Sequence, residues 1–555
     1  MPGASGMEEN VTAEAQAVSP AEFSSLPTCT LSASQLGDLE LLLSGAFAPL
    51  TGFMTMADAT AVGQGWQLAD GTPFPAVVTL DVPAAALPAA VELSDRLLLG
   101  DPEGTPIAVL TIRERTVLSP DAPAADGLHP MALAGSGSAQ TSLVRLAGPV
   151  SANRSPEHGP FRRLMLTPAA SRAELGDGPV LAFATRSPLA SRQIGQIKHL
   201  AGQLKAAVLI LPLVGGHVDV VGTPQALIRA VLAALPSLPP GSRVVPVPLP
   251  PRPGYAADRA RELALHARVA AAYGATHLMA DGLAPDSADL PAGADLAASA
   301  AIPIVPSGDW AYDPRAEVWR PYALIEAGTE QEDLSADQLG DLLDAGSEIP
   351  HWVMPPAVAR ELRRVRRPRS ERGLVLFLTG LSGSGKSTIA RDLADVLTER
   401  SDRQVSLLDG DLVRQLLSAG LTFSREDRDL NICRIGFVAA EIARHGGIAI
   451  CAPIAPFAAA RAQVRQMVSE TGDFFLIHVA TPVEVCESRD RKGLYAKARA
   501  GLIGQFTGVS DPYEVPADAE LVIDTSEVSR SAAVQAVLTM LTSGGWLAEQ
   551  ATADR

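Results

Sequence analysis

The stretch of residues 373–397, GLVLFLTGLSGSGKSTIARDLADVL, decides the fold of the last third of the chain. It opens with an unbroken apolar run, typical of a strand buried on both faces of a parallel sheet, and it ends in apolar residues at helical spacing. Between the two, Gly380-x-x-x-x-Gly385-Lys386-Ser387 matches the phosphate-binding loop (P-loop) pattern in full. A strand, a glycine-rich loop and a helix in this order predict a nucleotide-binding site.

The residue types of the loop explain how it would hold a nucleotide. Glycines allow the backbone to wrap with its N–H groups pointing inward, and the helix that follows adds its positive N-terminal end. We expect Lys386 to reach the β- and γ-phosphates and the Ser387 hydroxyl to ligate Mg²⁺. The sequence therefore predicts a cage of donors for phosphate groups, together with a metal ion.

Two carboxylates follow the next predicted strand, in Asp409-Gly410-Asp411. In a doubly wound sheet the carboxyl ends of neighbouring strands face one crevice, so these acids would lie near the P-loop. There they can hold Mg²⁺ and orient an attacking hydroxyl. A plain Asp-Gly turn that caps the following helix explains Asp411, but it does not explain the acid before it.

Basic residues follow in two groups. Arg428, Asn431 and Arg434 are three residues apart, which places them along one side of a helix. Arginine forks suit phosphate or sulfate oxygens, although acidic neighbours of these residues could equally pair with them at the surface. The second group lies in RDRKGLYAKARAGLIGQFTGVSDPYE at 489–514 and predicts a basic lid over phosphates, formed by Arg491, Lys492, Lys497 and Arg499.

The composition limits the class of protein. A chain of 555 residues, 47% of them hydrophobic and 19% charged, has the length of three or four domains. Its formal net charge of -17 predicts no binding to nucleic acid or anionic membranes outside a local basic patch. The four cysteines lack C-x-x-C spacing, the N-terminus lacks a basic leader, and no apolar stretch reaches the ~20 residues of a membrane span. We predict a cytoplasmic protein with reduced thiols.

The pattern of apolar runs predicts a multidomain α/β protein. A flexible leader is expected at 1–25, a β-rich domain at 26–170 and an α/β domain with a parallel sheet at 171–355. The P-loop domain, again with a parallel sheet, takes residues 373–555. The linker at 356–372 is rich in arginine, and such clusters usually form solvated helix faces or contact an acidic neighbour; a nucleic-acid patch is the alternative.

Several ordered motifs of the third domain resemble adenylyl-sulfate kinase, the enzyme that phosphorylates the ribose 3′-hydroxyl of adenylyl sulfate with ATP. The motifs are LDGDLVRQLL, TFSREDRDLNICRIGFVA, RKGLYAKARAG and FTGVSDPYE, and the similarity covers residues 373–525. The resemblance implies a P-loop kinase that makes 3′-phosphoadenylyl sulfate and ADP, with ATP as co-substrate and Mg²⁺ as cofactor. It also implies a homo-oligomer, either a dimer or a hexamer.

Carried over position by position, the resemblance assigns a role to individual residues. The implied catalytic residues are Lys386, Asp409 and Asp411, and the implied metal ligands are Ser387 and Asp409. The implied ATP site is Gly380, Leu381, Ser382, Gly383, Ser384, Gly385, Lys386, Ser387 and Thr388. The implied adenylyl-sulfate site is Asp409, Arg414, Phe423, Arg428, Asn431, Ile454, Lys492, Leu494 and Phe506. Adenine would lie between the rings of Phe423 and Phe506, and Lys497 and Arg499 would belong to the lid.

One segment departs from the kinase pattern. Relatives read F-I-S-P-Y-R, whereas this chain reads PIAPFA at 453–458, so the hydroxyl at Ala455 is missing. Phosphoryl transfer requires positioning and charge neutralisation rather than a protein nucleophile, so direct transfer from ATP does not need that hydroxyl. The arginine that relatives carry where this chain has Ala458 is also missing, and its loss would weaken substrate binding.

The first two domains resemble ATP sulfurylase (sulfate adenylyltransferase), which makes adenylyl sulfate from ATP and sulfate. The similarity covers residues 31–365 and is carried by LGDLELLLSGAFAPLTGFM, LADGTPFPAVVTLDV and YAADRARELALHARVAAAYGATHLM. It implies a PUA-like N-terminal domain followed by a Rossmann-like nucleotidyltransferase domain. The two parts of the chain would then correspond to consecutive steps of sulfate activation.

The catalytic segment of that second family is altered in this chain. Relatives read Q-T-R-N-P followed by H-x-x-H; here Arg186 is kept, but the amide and histidine positions are Ala184, Ser187, Ala190 and Gln193. The G-R-D motif expected after GATHLM is absent as well. Alanine donates no hydrogen bond to a developing charge, and one such donor is worth roughly 3–4 kcal/mol. We therefore predict an inactive sulfurylase-like region that acts as a scaffold or a regulatory module.

Two other hypotheses remain open from the sequence. A bifunctional enzyme would make adenylyl sulfate despite its altered residues, and a non-catalytic sensor would bind adenylyl sulfate without phosphorylating it. The intact P-loop, the pair of acids and the basic lid favour the kinase with an inactive sulfurylase-like region. Pyrophosphate release from ATP and sulfate, and ADP formation with adenylyl sulfate, distinguish the three hypotheses.

Overall fold

The structure, a computed structural model, describes most of the chain. The described residues are 26–87, 92–93, 95–118, 142–153, 160–216, 222–252, 258–283, 298–326, 328, 331–409, 413, 416–422, 424–490 and 492–548. The chain divides into two compact units, the first from Met1–Ser335 and Ile349–Val365, the second from Ala336–Glu348 and Arg366–Arg555. Among the described residues, no helix combines the length and the apolar character that a membrane crossing requires.

A seven-stranded sheet dominates the start of the first unit. Its strands are β1 (Thr28–Thr30), β2 (Gly52–Phe53), β3 (Leu80–Pro83), β4 (Arg96–Gly100), β5 (Pro106–Thr111), β6 (Glu114–Leu118) and β7 (Leu143–Ala152). The long strand β7 lies antiparallel to β2, β3, β5 and β6, and β1 pairs with β4 in parallel. The helices α1 (Ala33–Leu43) and α2 (Met56–Gly65) interrupt the strands. This part has the β-rich character that its short apolar runs predict.

The rest of the first unit is built on a parallel sheet. Its order is β10 (Arg243–Val244), β9 (Ala207–Pro212), β8 (Val180–Thr185), β11 (His277–Ala280) and β12 (Ile304–Pro306). A two-stranded hairpin, β13 (Trp310–Asp313) and β14 (Val318–Pro321), follows it. The helices in chain order are α3 (Pro168–Leu175), α4 (Ser191–Leu204), α5 (Pro224–Ala234), α6 (Arg259–Ala272), α7 (Ala336–Asp344), which belongs to the second unit, and α8 (Pro356–Val365).

Helix α6 joins the two halves of the first unit. Arg261 donates from Nη2 to the Val62 carbonyl, at 2.9 Å, and its guanidinium lies 5.1 Å from the centre of the Trp66 ring. A cation at the carboxyl end of α2 is favourable because the helix dipole leaves partial negative charge on the carbonyls there. Arg268 makes a similar contact, with the carbonyl of Ala48. These contacts place the sheet of seven strands and the parallel sheet in one unit.

Three arginines of the predicted linker share one carboxylate. Asp344 Oδ1 lies 2.7 Å from Arg366 Nε and 2.6 Å from Arg372 Nη2, and Asp344 Oδ2 lies 3.4 Å from Arg369 Nη2. Burial raises the pKa of the Asp344 carboxyl, but hydrogen bonds from Arg366 and Arg372 outweigh burial and bring it to about 2. The arginines thus contact an acidic partner, which is one of the interpretations of this stretch. Helix α8 occupies the first part of the predicted linker 356–372. The boundaries of that linker stay a prediction.

The second unit is organised around one parallel sheet. Its order is β16 (Val405–Leu408), β17 (Ile448–Cys451), β15 (Leu374–Thr379), β18 (Asp473–Val479) and β19 (Leu521–Ile523). Among the described residues, its other helices with given bounds are α9 (Lys386–Arg400), α10 (Arg425–Arg444), α11 (Ala458–Ser469), α12 (Val483–Arg489), α13 (Leu494–Arg499) and α14 (Arg530–Ser543).

The central strand β15 is buried along its whole length. Leu376 and its alternate neighbours pack into a core with α9 and α14, while Val375 and Phe377 pack into a second core with α10 and α11. Alternate side chains of a strand point to opposite faces, so burial of every residue requires helices on both sides. This explains the unbroken apolar run of the sequence, and it places the P-loop at the carboxyl edge of a fully covered sheet.

Candidate active site

The P-loop passes very close to its neighbours. Gly380, Gly383 and Gly385 have φ values of +148°, +80° and +102°, a region that residues with a side chain rarely adopt. A Cβ atom at Gly380 would lie 2.4 Å from the Val479 carbonyl oxygen, and one at Gly383 would lie 2.9 Å from the Cys486 carbonyl oxygen. The predicted glycines are therefore required both by conformation and by lack of space.

Lys386 begins α9 and is 6% exposed. Its Nζ donates to the Leu381 carbonyl at 2.7 Å and lies 3.4 Å from Ser384 Oγ. Burial lowers the pKa of the Lys386 ammonium to about 8, and the charge of Lys492 adds to this effect, while Asp409 opposes it. The ammonium is thus held inside the loop, and its contact with phosphate stays a prediction. Ser387 and Thr388 follow in the first turn of α9, where both are half-buried.

Two threonines hold the P-loop from outside. The Ser384 carbonyl accepts from Thr481 Oγ1 at 3.1 Å and from Thr525 Oγ1 at 2.9 Å, and the two hydroxyls lie 2.8 Å apart. Arg489 donates to Thr525 Oγ1 at 2.8 Å and to the Thr525 carbonyl at 2.9 Å. Sequence reasoning missed all three residues. The position of the threonines in the sequence could have indicated them, because they follow β18 and β19, whose carboxyl ends face the site.

Asp409 lies at the carboxyl end of β16, at the edge of the sheet where the P-loop lies. Arg391 Nη2 of α9 lies 3.1 Å from its Oδ2, and the Asp409 side chain is 16% exposed. The predicted carboxylate therefore reaches the site and is close enough to Lys386 to act on its charge. Asp411, Arg414 and Phe423 lie outside the described residues, so their predicted roles stay predictions.

The predicted helix face of α10 is present, and two of its residues are buried. Arg428 is 8% exposed, Asn431 is 6% exposed, and the Asn431 Oδ1 has no hydrogen-bond partner among the described residues. Arg434 instead points to the carbonyl of Leu417, at 3.1 Å. The Arg428 guanidinium pairs with the Asp511 carboxylate, with Nη2 2.5 Å from Oδ2, so the predicted roles of Arg428 and Asn431 toward an anionic ligand stay predictions.

Phe506 is the described member of the predicted adenine sandwich. Its ring contacts Tyr495 edge-on, with ring centres 5.0 Å apart, and the Tyr495 hydroxyl donates to the Ser382 carbonyl at 2.9 Å. Leu381 and Leu494, both predicted site residues, pack against the same cluster. The structure therefore brings the ring next to the P-loop, on the side of α13.

The predicted lid residues are at the surface. Lys492 and Lys497 are exposed. Arg499 makes two contacts with Glu487, from Nε to Oε1 at 3.0 Å and from Nη2 to Oε2 at 2.9 Å. In this arrangement the Arg499 guanidinium is engaged by a carboxylate of α12, so its role over phosphates stays a prediction. Arg491 lies outside the described residues.

The altered segment 453–458 lies against the start of the P-loop. The Ile454 carbonyl accepts from Thr379 Oγ1 at 2.7 Å and from the Gly380 amide at 3.3 Å. Ala455 is buried and has a left-handed φ of +46°, and its carbonyl accepts from Arg461 Nη1 at 2.8 Å. Arg461, which sequence reasoning missed, thus helps to hold a strained backbone beside the predicted site.

In the first unit, the altered sulfurylase positions lie where β8 meets α4. Ala190 caps α4 without a polar side chain, and its amide donates to Gln193 Oε1 at 2.9 Å. Ala184 belongs to β8 and packs against the hydrophobic core, and the Ser187 amide donates to Thr185 Oγ1 at 3.0 Å. These four substituted positions therefore serve local structure.

Charged residues around this second site pair with one another. Asp281 Oδ1 lies 2.7 Å from Arg192 Nη1, and its Oδ2 accepts from Gln193 Nε2 at 2.7 Å. Arg186 donates to the Leu249 carbonyl at 3.0 Å. Burial, together with the charge of Arg186, lowers the pKa of His266 to about 3, so this histidine is neutral. Arg186 and Arg192 are thus both present here, and Arg192 forms an ion pair with Asp281.

The order of these domains recurs in known proteins. Family models described as PUA-like domain, ATP-sulfurylase and Adenylylsulphate kinase match residues 2–124, 162–365 and 372–524. A protein named Sulfate adenylyltransferase from Phaeosphaeria nodorum is 37% identical over 560 residues, which cover 95% of this chain and 96% of that protein. This chain belongs to the sulfate adenylyltransferase family.

Further relatives agree with membership in the sulfate adenylyltransferase family. A protein of the same name from Chaetomium globosum is 38% identical over 556 residues, or 95% of each chain. A solved structure titled "Hexameric APS kinase from Thiobacillus denitrificans" has a TM-score of 0.76 and 34% identity, and the match covers 95% of this chain and 94% of that one. The predicted fold class is confirmed, with PUA-like, ATP-sulfurylase and P-loop adenylylsulphate kinase domains in one chain.

Proposed function

We propose that this chain transfers the γ-phosphoryl group of ATP to the 3′-hydroxyl of adenylyl sulfate, and that its ATP-sulfurylase domain does not form adenylyl sulfate. One observation carries the kinase activity. An intact P-loop with a buried Lys386, the carboxylate of Asp409 and the ring of Phe506 come together at one edge of the second unit. Membership in a family with an adenylylsulphate kinase domain supports the choice of substrate.

The arrangement suits phosphoryl transfer because that reaction depends on position and charge. The Lys386 ammonium donates to the Leu381 carbonyl. A phosphate oxygen is charged and would be a stronger acceptor for it. Arg428 and Asn431 offer a buried guanidinium and an amide for the anionic end of adenylyl sulfate. No side chain has to act as a nucleophile, so the alanine at 455 is compatible with turnover.

Mg²⁺ fits the donor atoms at this edge. The hydroxyl of Ser387 and the carboxylate of Asp409 are hard oxygen ligands of the kind that Mg²⁺ prefers, and few protein ligands suffice when a nucleotide supplies the others. When bound, Mg²⁺ would neutralise phosphate charge. Arg391 keeps the Asp409 carboxylate at the edge of the sheet through its 3.1 Å contact.

Loss of sulfurylase activity is supported by what replaces the expected donors. Ala184 and Ala190 have no polar side-chain atoms. The Gln193 side chain accepts from the Ala190 amide and donates to the Asp281 carboxylate. Catalysis of adenylyl transfer needs donors aimed at the charge that develops on the phosphates. The arginine–carboxylate contact between Arg192 and Asp281 also withdraws one of the positive charges that the site retains.

A bifunctional enzyme is the second candidate, and two observations favour it. Two relatives that match along 95% of this chain are named Sulfate adenylyltransferase, and a family model described as ATP-sulfurylase matches residues 162–365. Arg186 also remains, fixed against the Leu249 carbonyl. If it binds ATP, a weaker version of the adenylyl-transfer reaction would survive in this domain.

Two assays on the full chain test the proposal. ADP formation from ATP and adenylyl sulfate should be rapid in the wild type, and Lys386→Ala should abolish it because charge neutralisation in the transition state is lost. Pyrophosphate release from ATP and sulfate should stay at background. Pyrophosphate release that disappears in Arg186→Ala would establish the bifunctional enzyme, and tight binding of both nucleotides without ADP would establish the sensor.

We also propose the substrates, the cellular compartment and the oligomeric state of this enzyme. The substrates are the small molecules ATP and adenylyl sulfate, and we place the reaction in the cytoplasm without nucleic-acid or membrane partners. The relative titled as a hexameric kinase supports a homo-oligomer, either a dimer or a hexamer. Light scattering on the purified chain measures its molecular mass directly.

A further inference from the structure

One carboxylate connects the two ends of the predicted adenylyl-sulfate site. Asp511 Oδ2 lies 2.5 Å from Arg428 Nη2, and the two side chains are 19% and 10% exposed. Thr507 adds a second contact, because its Oγ1 accepts from Arg428 Nη1 at 3.1 Å. The guanidinium of α10 is therefore held by a segment that lies about 80 residues further along the chain.

The segment that holds Arg428 is the turn that carries Phe506. The Asp511 amide donates to the Phe506 carbonyl at 3.1 Å, and the Gly508 amide donates to the Asp511 carbonyl at 2.8 Å. The Phe506 amide in turn donates to Ser510 Oγ at 2.9 Å. These bonds make 506–511 a closed turn, so the position of the ring and the position of the Asp511 carboxylate are coupled.

The other side of Arg428 is also bounded. Its guanidinium lies 5.3 Å from the centre of the Phe457 ring, which is 1% exposed. A planar guanidinium between a ring and a carboxylate has one orientation left, whereas an arginine with neither neighbour has several rotamers of similar energy. Without Asp511, Arg428 would keep its charge, but only Thr507 and the Phe457 ring would direct its guanidinium.

We propose that Asp511 is a positioning residue that ties Arg428 to the turn bearing Phe506 and so sets the spacing between the anion-binding and ring-binding ends of the adenylyl-sulfate site. The inference rests on the proposed kinase function, because it takes adenylyl sulfate as the ligand that spans the two ends. Asp511 would act through Arg428 and Phe506 and not by touching the reacting atoms.

The test compares Asp511→Ala, Asp511→Asn and a matched control. Removal of the carboxylate from a largely buried ion pair is expected to weaken adenylyl-sulfate binding about 10-fold, with the KM for ATP changed less than about 2-fold. Asp511→Asn keeps an oxygen acceptor at the same place and should restore affinity to within about 3-fold of wild type. The control Asp518→Ala breaks an arginine contact of the same unit, with Arg465, and should change neither constant.

A double-mutant cycle isolates the pathway through the arginine. In an Arg428→Ala background, Asp511→Ala should add less than about a 2-fold further loss of adenylyl-sulfate affinity, since the group that it orients is gone. Additive losses would overturn the proposal, as would an Asp511→Ala variant with wild-type affinity for adenylyl sulfate. Equal losses of ATP and adenylyl-sulfate affinity, together with a lower melting temperature, would show a general structural role and overturn it too.

Binding and turnover separate this inference from the function on which it rests. Titration calorimetry with adenylyl sulfate reports the positioning effect without any chemistry. A wild-type chain that binds adenylyl sulfate but forms no ADP refutes the kinase and leaves the comparison of Asp511 variants intact. A wild-type chain that does not bind adenylyl sulfate refutes both.

Discussion

The two threonines that donate to the P-loop from outside, Thr481 and Thr525, offer the sharpest test of how this site is built. In a trans peptide the C=O and the following N–H point in opposite directions. Thr481 and Thr525 draw the Ser384 carbonyl outward, which turns the Gly385 N–H toward the inside of the loop, where phosphate would bind. We therefore expect Thr481→Val together with Thr525→Val to weaken ATP binding, because valine has nearly the same shape but no hydroxyl.

The size of the effect follows from the bonds that are lost. Each hydroxyl-to-carbonyl bond contributes about 1 kcal/mol, so loss of both corresponds to about 2 kcal/mol, or about 30-fold in the Kd for ATP. Each single valine variant should cost less than half of this, since the remaining hydroxyl still reaches the Ser384 carbonyl. Adenylyl-sulfate affinity should be unchanged, because its proposed contacts lie on α10 and the turn of Phe506.

Calorimetric titration of each variant with a non-hydrolysable ATP analogue measures the predicted change. Thr398→Val is the matched control, because Thr398 Oγ1 also donates to a carbonyl, that of Ala394, on an exposed part of α9. A double variant that melts like the wild type and binds ATP with unchanged affinity would refute the idea that the threonines set the direction of the loop amide.

Three further predictions concern pH, stacking and stability. Burial lowers the pKa of Lys386 to about 8, so kcat/KM for ATP should fall above pH 8 as the free enzyme loses this charge. At saturating ATP the bound phosphate favours the charged lysine, so kcat should stay level. A pH profile of both constants checks this. Phe506→Ala should raise the KM for adenylyl sulfate about 10-fold through lost stacking, and Phe506→Tyr, which keeps the π face, should not; an unchanged KM in the alanine variant counts against the stacking role. Asp344→Asn should lower the free energy of unfolding at neutral pH by about 1–3 kcal/mol. Because the folded pKa of Asp344 is depressed from 3.8 to about 2, the wild-type advantage should be full above about pH 4 and should vanish toward pH 2 in denaturant titrations.

The P-loop shows what short-range pattern can predict. Its strand, loop and helix are contiguous, so the spacing of glycines, lysine and serine encodes nearly all of its geometry. The same holds for Arg428 and Asn431, whose three-residue spacing on α10 puts both in the same buried patch. Their neighbour Arg434 follows the same spacing but is only half-buried, because spacing alone does not say where the buried stripe of a helix ends.

Other parts of the site depend on residues that are far apart in the chain. Thr481 and Thr525 lie 97 and 141 positions from Ser384, and no motif in either segment points to that carbonyl. Arg461 acts on Ala455 from the next helix, and its role arises from a left-handed backbone that the residue type would not suggest. Long-range contacts of this kind carry no local periodicity, so pattern analysis does not find them.

The chain path between the units gives a similar contrast. The arginine-rich stretch 360–372 stands out by composition, which predicts either a solvated helix face or contact with an acidic neighbour, without naming that neighbour. Only the folded chain shows that the partner is Asp344, in α7, and that Ala336–Glu348 belongs with the second unit although Ile349–Val365 belongs with the first. The unit to which each of these two segments belongs depends on where its helix buries its apolar face. That is a property of tertiary packing.

The amino-acid sequence by itself determined the buried strands, the phosphate loop and the amphipathic helices, because each depends on residue type and short spacing. The loss of catalytic donors at Ala184 and Ala190 stays a prediction from the sequence. The tertiary structure alone decided which distant groups complete the sites: the threonines behind Ser384, the carboxylate of Asp511 on Arg428, and the pairing of Arg192 with Asp281. The physical reason is that hydrogen bonds and ion pairs depend on distances of a few ångströms in space, and only the packed core brings those atoms within reach.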